Sequence, residues 1–149
     1  MDQQIMEAET MDLLLVEDDR ADVLLYTDAI SSSNIKSQNI KVAVCHTLVE
    51  AEAALLLKKF DIILLDMNLP DSEELQGFKK LVNLYPDIPI VIHSSVYSAQ
   101  LASEAIALGA EDYIVKGTMT NDDFVRTIIH AKIRHSVYVR LRNCLGQLR

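Results

Sequence analysis

DIILLDMNLPD, residues 61–71, is the stretch that decides how this chain folds. Ile62 to Leu65 are apolar without alternation, so both faces of the segment must be covered, as in the centre of a parallel sheet. The run stops at Asp66. A carboxylate at the end of a buried strand is costly unless it is paired, metal-bound or reactive. Leu-Pro-Asp then turns the chain away.

Outward from this strand the same alternation repeats. DLLLV (12–16), IKVAVCH (40–46), IPIVIH (88–93) and EDYIVK (111–116) read as four further strands. Between them lie helical stretches: RADVLLYTDAI, TLVEAEAALLLKK, a segment from Asp71 to about Leu84, and SAQLASEAIAL. A last helix would run from Asn121 nearly to the terminus. Asp19 with Asp22, Asp71 with Glu74, and Thr120 with Asp123 have the spacing of N-terminal caps. Gly109 sits where a helix C-terminal glycine belongs. Five strands alternating with five helices give an α/β domain with a parallel sheet covered on both faces.

Composition fits one domain. Half of the 149 residues are hydrophobic, enough for a core. The apolar runs are too short to span a bilayer, and MDQQIMEAETMD lacks the basic-then-apolar layout of a secretory signal. Cys45 and Cys144 have no metal-ligand spacing around them and read as free thiols of a cytoplasmic protein. All 22 acidic residues lie at or before Asp123, against eight basic ones; six basic residues and no acid follow. Such an acidic body repels nucleic acid and anionic membranes and suits divalent cations.

In open parallel sheets chemistry gathers beyond the carboxyl ends of the strands. There this chain would collect Glu17, Asp18, Asp66, Ser94 and Lys116. Three neighbouring carboxylates raise one another's pKa, a conflict that Mg2+ resolves with a few protein oxygens. Lys116 and Ser94 would neutralise the oxygens of a transferring phosphoryl group, with Asp66 as the nucleophile.

LLLVEDD, LLDMNLPD, PIVIHSS and GAEDYIVKG stand in the order and at the separations of the receiver domain of two-component response regulators, which residues 12–134 resemble. The resemblance implies a flavodoxin-like (βα)5 fold with strand order 2-1-3-4-5. It implies a chemotaxis-regulator-like receiver that takes a phosphoryl group from a sensor histidine kinase or phosphotransfer protein. By position it makes Asp66 the phosphoacceptor and Glu17 and Asp18 the acidic pair, with Asp18 the direct metal ligand. It gives the Asn68 carbonyl to the metal shell, Ser94 and Tyr113 to the switch, and Pro70 to the loop after the phosphoacceptor. Three positions depart from the family pattern: Gly117 replaces a frequent proline, Glu74 a frequent glycine, and Ser95 the usual Ala or Gly.

Three other readings compete, of which the docking module keeps the same fold. A docking module would leave the site silent, although its intact acids and lysine argue against that. A phosphohydrolase would need a second Asp two residues after the first, where this chain has Asn68. Flavin binding is disfavoured, because no Ser/Thr/Gly-rich phosphate loop follows the first strand. His46, His93, His130 and His135 lack ligand-like grouping, and His93 reads as a space-filling strand residue.

Residues 1–11 read as an N-terminal extension and 135–149 as a helical one. Ile129, Ile133, Val137, Leu141, Leu145 and Leu148 keep an apolar seam beyond the domain edge. Another copy, a kinase helix or a target would cover it; a homodimer is expected through this helix or through the face of the fourth helix, fifth strand and fifth helix.

Overall fold

The computed structural model describes residues 9–147. The elements are β1 (Glu9–Val16), α1 (Arg20–Ser32), β2 (Gln38–Cys45), α2 (Leu48–Leu57), β3 (Ile62–Asp66), α3 (Gln76–Leu84), β4 (Ile90–Ser94), α4 (Ala99–Ala107), β5 (Asp112–Val115) and α5 (Asn121–Gly146). The five strands form one parallel sheet in the order β2-β1-β3-β4-β5. Strand order therefore reverses between β1 and β3, which puts a crevice at the ends of those two strands.

Side chains alternate across the sheet and divide the core in two. Met11, Leu13, Leu15, Ile62, Leu64, Val91 and Ile114 face α1 and α5, where Tyr26, Ala29, Phe124 and Ile128 close the layer. Leu14, Val16, Ile63, Leu65, Ile90 and Ile92 face α2, α3 and α4 and meet Ala51, Leu55, Phe78, Leu81 and Ala105. Every residue of β3 is buried, as its unbroken apolar run requires.

Two local expectations are corrected. The third helix does not begin at Asp71. The Asp71 carboxylate instead accepts hydrogen bonds from the Leu48 and Val49 amides (2.8 and 3.0 Å), which caps α2 beside its own cap, Thr47. Glu74 takes φ +44°, a left-handed turn that no α-helix can pass through, so α3 starts only at Gln76. β1 begins three residues earlier than the apolar run suggests, because Glu9 to Met11 pair with Gln38 to Ile40.

The caps on α1 and α5 are as the sequence indicates: Asp19 accepts from Ala21 and Asp22, and Thr120 from Asp123. Gly109 ends α4 at φ +115°. Along α5, Ile129 packs into the core. Ile133, Val137, Leu141 and Leu145 are exposed in steps of four. Leu148, the last residue of the predicted seam, lies outside the described residues, as do residues 1–8. His135 fastens the helix as it leaves the sheet, with Nδ1 2.8 Å from a Glu111 carboxylate oxygen and Nε2 2.9 Å from the Pro86 carbonyl. Arg142 pairs with Asp87 one step further on.

Candidate functional site

Strand register builds the site. Val16 lies beside Leu65, Asp66 beside His93, and His93 beside Ile114. Glu17, Asp66, His93 and Lys116 each stand two residues beyond a side chain that faces α1 and α5. All four therefore leave the sheet on that side at one level. Glu17 and His93 are fully buried and Asp66 is 3% exposed.

Lys116 is the hub of the pocket. Its Nζ lies 2.7 Å from Glu17 Oε2, 2.9 Å from Asp22 Oδ2 and 3.3 Å from Asp66 Oδ1. One ammonium thus serves three carboxylates. Asp66 Oδ1 also accepts the Asn68 amide at 3.1 Å, and Glu17 Oε1 accepts the Asp19 amide at 3.0 Å. Such shortage of positive charge has titration consequences. Burial pushes the Glu17 carboxyl up to about 7; Lys116 and the Asp19 amide pull it down, and the Asp66 charge adds to the rise. Burial alone would lower the Lys116 ammonium, but the Glu17 and Asp22 hydrogen bonds and the Asp66 charge outweigh it and hold it above its ordinary range.

The predicted residues divide into those assembled and those set apart. Glu17, Asp66 and Lys116 meet. Ser94 is buried at the end of β4, but its hydroxyl accepts the Val96 amide at 3.3 Å rather than bonding Asp66 or Lys116. Tyr113 donates to the Val96 carbonyl at 3.2 Å and lies beside Tyr97, whose ring is 6.4 Å away edge to face. Ser94 and Tyr113 therefore both bond Val96 in the loop 95–98, and the Tyr113 hydroxyl also lies 3.6 Å from Met67 Sδ, next to Asp66 in the chain. Asp18 and Asn68 are exposed at the mouth. Beside Asn68 an open cleft of about 710 Å³ runs past Glu73, Glu74, Lys79 and Glu104.

Two residues that sequence reading passed over belong here. Asp22 was read as a capping partner, yet its carboxylate holds Lys116. His93 has Nδ1 3.1 Å from the Tyr26 hydroxyl and 3.6 Å from Glu17 Oε2. Burial, reinforced by the Lys116 charge, keeps its imidazole neutral well below the ordinary range. Among the described residues, Glu17, Asp66 and His93 form the one group of metal-capable side chains whose ligand atoms lie within 4.8 Å of one another. Donors of this kind, with carboxylates in excess of cations, fit a divalent ion.

A doubly wound sheet with an aspartate, an acidic neighbour and a lysine at its switch point defines a flavodoxin-like α/β domain with an acidic site at the carboxyl ends of its strands. The sequence matches the response regulator receiver domain family over residues 13–129, and the chain belongs to that family. It is 27% identical over 111 residues to the transcriptional regulatory protein ZraR of Klebsiella oxytoca, covering 74% of this chain and 24% of that protein. It is 33% identical over 107 residues to the response regulator protein FleR of Pseudomonas aeruginosa, covering 70% of this chain and 21% of that one. The chain thus spans about a quarter or less of these relatives. Among solved structures, the CheY-like receiver domain protein of Methanospirillum hungatei superposes with a TM-score of 0.71 at 19% identity, over 87% of this chain and 99% of that one. NtrX of Brucella abortus superposes with 0.75 at 18% identity, over 91% of this chain and 30% of that one. No described helix is long and apolar enough to cross a membrane.

Proposed function

We propose that this receiver domain accepts a phosphoryl group on Asp66 from the phosphohistidine of a sensor kinase or phosphotransfer protein. The observation that carries the reading is the Lys116 ammonium, 3.3 Å from Asp66 Oδ1 and shared with Glu17. An Asp66 carboxylate oxygen attacks phosphorus, the P–N bond breaks, and the departing imidazole nitrogen keeps the electron pair. Lys116 neutralises one equatorial oxygen as the charge spreads. Asp18, Asp66 and the Asn68 carbonyl would hold Mg2+, with Glu17 beside them. When bound, that ion supplies the remaining positive charge.

The phosphoryl group brings about 1.5 to 2 negative charges and the new P–O bond removes the one that Asp66 carried, so a net gain of roughly one falls where one ammonium already serves three carboxylates. To donate its hydroxyl proton to a phosphoryl oxygen, Ser94 must turn toward Asp66, which strains the bond its oxygen accepts from the Val96 amide. That releases the 95–98 loop on which Tyr113 depends. A full switch from 1:99 to 99:1 needs about 5.5 kcal/mol of preference. Two or three charge-assisted hydrogen bonds are of that order. The output is contact with a partner or a second copy, through the face of α4, β5 and α5 or through the exposed stripe of α5.

The test is intact-mass measurement after incubation with a small phosphodonor and Mg2+, beside Asp66→Ala. Wild type should gain the mass of one phosphoryl group and the variant none. A wild type that gains nothing refutes the reading, and a variant that still gains it misplaces the site. Beryllofluoride with Mg2+ should also shift the ultraviolet spectrum of Tyr113; a silent docking module would not respond.

A further inference from the structure

Both ring nitrogens of His135 meet acceptors. Nδ1 lies 2.8 Å from Glu111 Oε1, in the loop between α4 and β5, and Nε2 lies 2.9 Å from the Pro86 carbonyl oxygen, in the loop between α3 and β4. A carbonyl and an ionised carboxylate only accept hydrogen bonds, and a neutral imidazole has one N–H to give. With Glu111 ionised, only the imidazolium satisfies both. We infer that His135 is a proton-dependent clasp. Doubly protonated, its ring ties the last three turns of α5, residues 136–146, to the body of the domain; loss of the proton lets those turns open.

Burial gives the proton its leverage. His135 is buried and the Glu111 side chain nearly so, so water does not make good a lost bond. A neutral ring would have to aim a lone pair at the carboxylate or at the Pro86 carbonyl. Beyond His135 the helix has little else to hold it. Val137, Tyr138, Leu141 and Leu145 are exposed, and the pair of Arg142 with Asp87 is a surface pair of small worth. Ahead of it, Ile128 and Ala131 are buried in the core. The boundary between anchored and free helix therefore falls at this residue.

The charged neighbours come from three elements. From α5 itself, Arg134 reaches the other Glu111 oxygen at 3.4 Å and the Glu111 backbone carbonyl at 3.2 Å, and the Tyr138 ring centroid lies 5.7 Å from that of His135. The loop before β5 supplies Glu111, and the loop before β4 supplies the Pro86 carbonyl, with Asp87 held by Arg142. Carboxylates, phenols and guanidiniums ordinarily titrate far from neutral pH and imidazole close to it, so the ring is the group that changes. Glu17, carried up to about 7, sits at the carboxyl ends of the strands, whereas the clasp sits at their amino ends. The clasp fixes how much of α5 is a rigid surface, and it stands whether or not Asp66 is phosphorylated.

The experiment follows amide exchange of the whole chain from about pH 5.5 to about pH 8.5, each rate divided by that of an unstructured chain at the same pH. In wild type, opening of residues 136–146 should rise about tenfold or more with pH, the loss of one charged hydrogen bond, with no matching rise in residues 121–131. Nitrogen spectra of the His135 ring should show one proton leaving at the same midpoint. Glu111→Gln is the sharper test. The glutamine amide can donate to Nδ1, so a neutral ring keeps both bonds by giving its Nε2 proton to Pro86, and Arg134 keeps its bond to the backbone carbonyl. That variant should stay closed across the range, and His135→Leu should stay open across it. Wild-type opening that is level with pH, or a Glu111→Gln profile with the wild-type slope, overturns the clasp. Should His135→Leu fail to fold by circular dichroism, Glu111→Gln decides alone: a closed, flat profile supports the clasp, and a sloping or open one refutes it.

Discussion

Glu17→Gln tests the charge balance of the pocket most directly. Glu17 is fully buried, and its carboxyl is carried from an ordinary 4.5 up to about 7. The folded chain therefore holds a proton that the unfolded chain has given up throughout that window. Its contribution is fully present below pH 4.5, falls as pH rises, and is lost once pH passes 7. The interval corresponds to roughly 3 kcal/mol. His93 opposes it, because a buried neutral imidazole favours the folded state increasingly as pH rises toward 6.5. The stability of wild type alone is thus a poor readout. The difference between Glu17→Gln and wild type removes the histidine. Urea unfolding in chelator at pH 5, 6, 7 and 8 should show that difference moving in favour of the variant, by a few kcal/mol in all. Saturating Mg2+ should shrink the movement, because the cation replaces the proton. A difference that stays constant from pH 5 to pH 8 would refute the reasoning.

Other perturbations probe single contacts. Lys116→Met leaves Glu17, Asp22 and Asp66 without their shared cation; it should cost roughly 3 kcal/mol at pH 8 by denaturant unfolding, and Mg2+ should recover part of it. Asp71→Ala should cost about 1 kcal/mol by removing the second cap of α2, with enhanced amide exchange confined to the first turn of that helix. Glu74→Gly should relieve the left-handed backbone at φ +44° and leave thermal stability unchanged or raise it by up to about 1 kcal/mol. Leu141→Glu with Leu145→Glu should abolish any self-association of the phosphorylated chain seen by sedimentation, while the gain of phosphoryl mass persists.

The fold was legible because its signals are local. Ile62–Leu65 announces a strand covered on both faces, and Gly109 and Thr120 mark helix ends from their own neighbourhoods. What failed depended on contacts far along the chain. Asp71 and Glu74 have the spacing of a helix start, but the Asp71 carboxylate finds two free amides at the head of α2, more than twenty residues back in sequence. Those amides lack partners within their own helix, so the long-range bond satisfies a need that the local one does not.

The site was legible in its acids and lysine and illegible in its histidine for a related reason. IPIVIH is apolar on both faces, so the strand itself does not say which way His93 points. Only the register does: Asp66 beside His93, and Val91 in the layer under α1 and α5. Once that register is known, Glu17, Asp66, His93 and Lys116 must share a side. Asp22 then follows from α1, whose first turn passes over that side. The pocket this assembles has too few cations for its carboxylates. A proton on Glu17 and the proposed Mg2+ at the mouth are alternative answers to that shortage. Raising pH removes the first answer, so Mg2+ should bind more tightly at pH 8 than at pH 6, and Glu17→Gln should flatten the dependence.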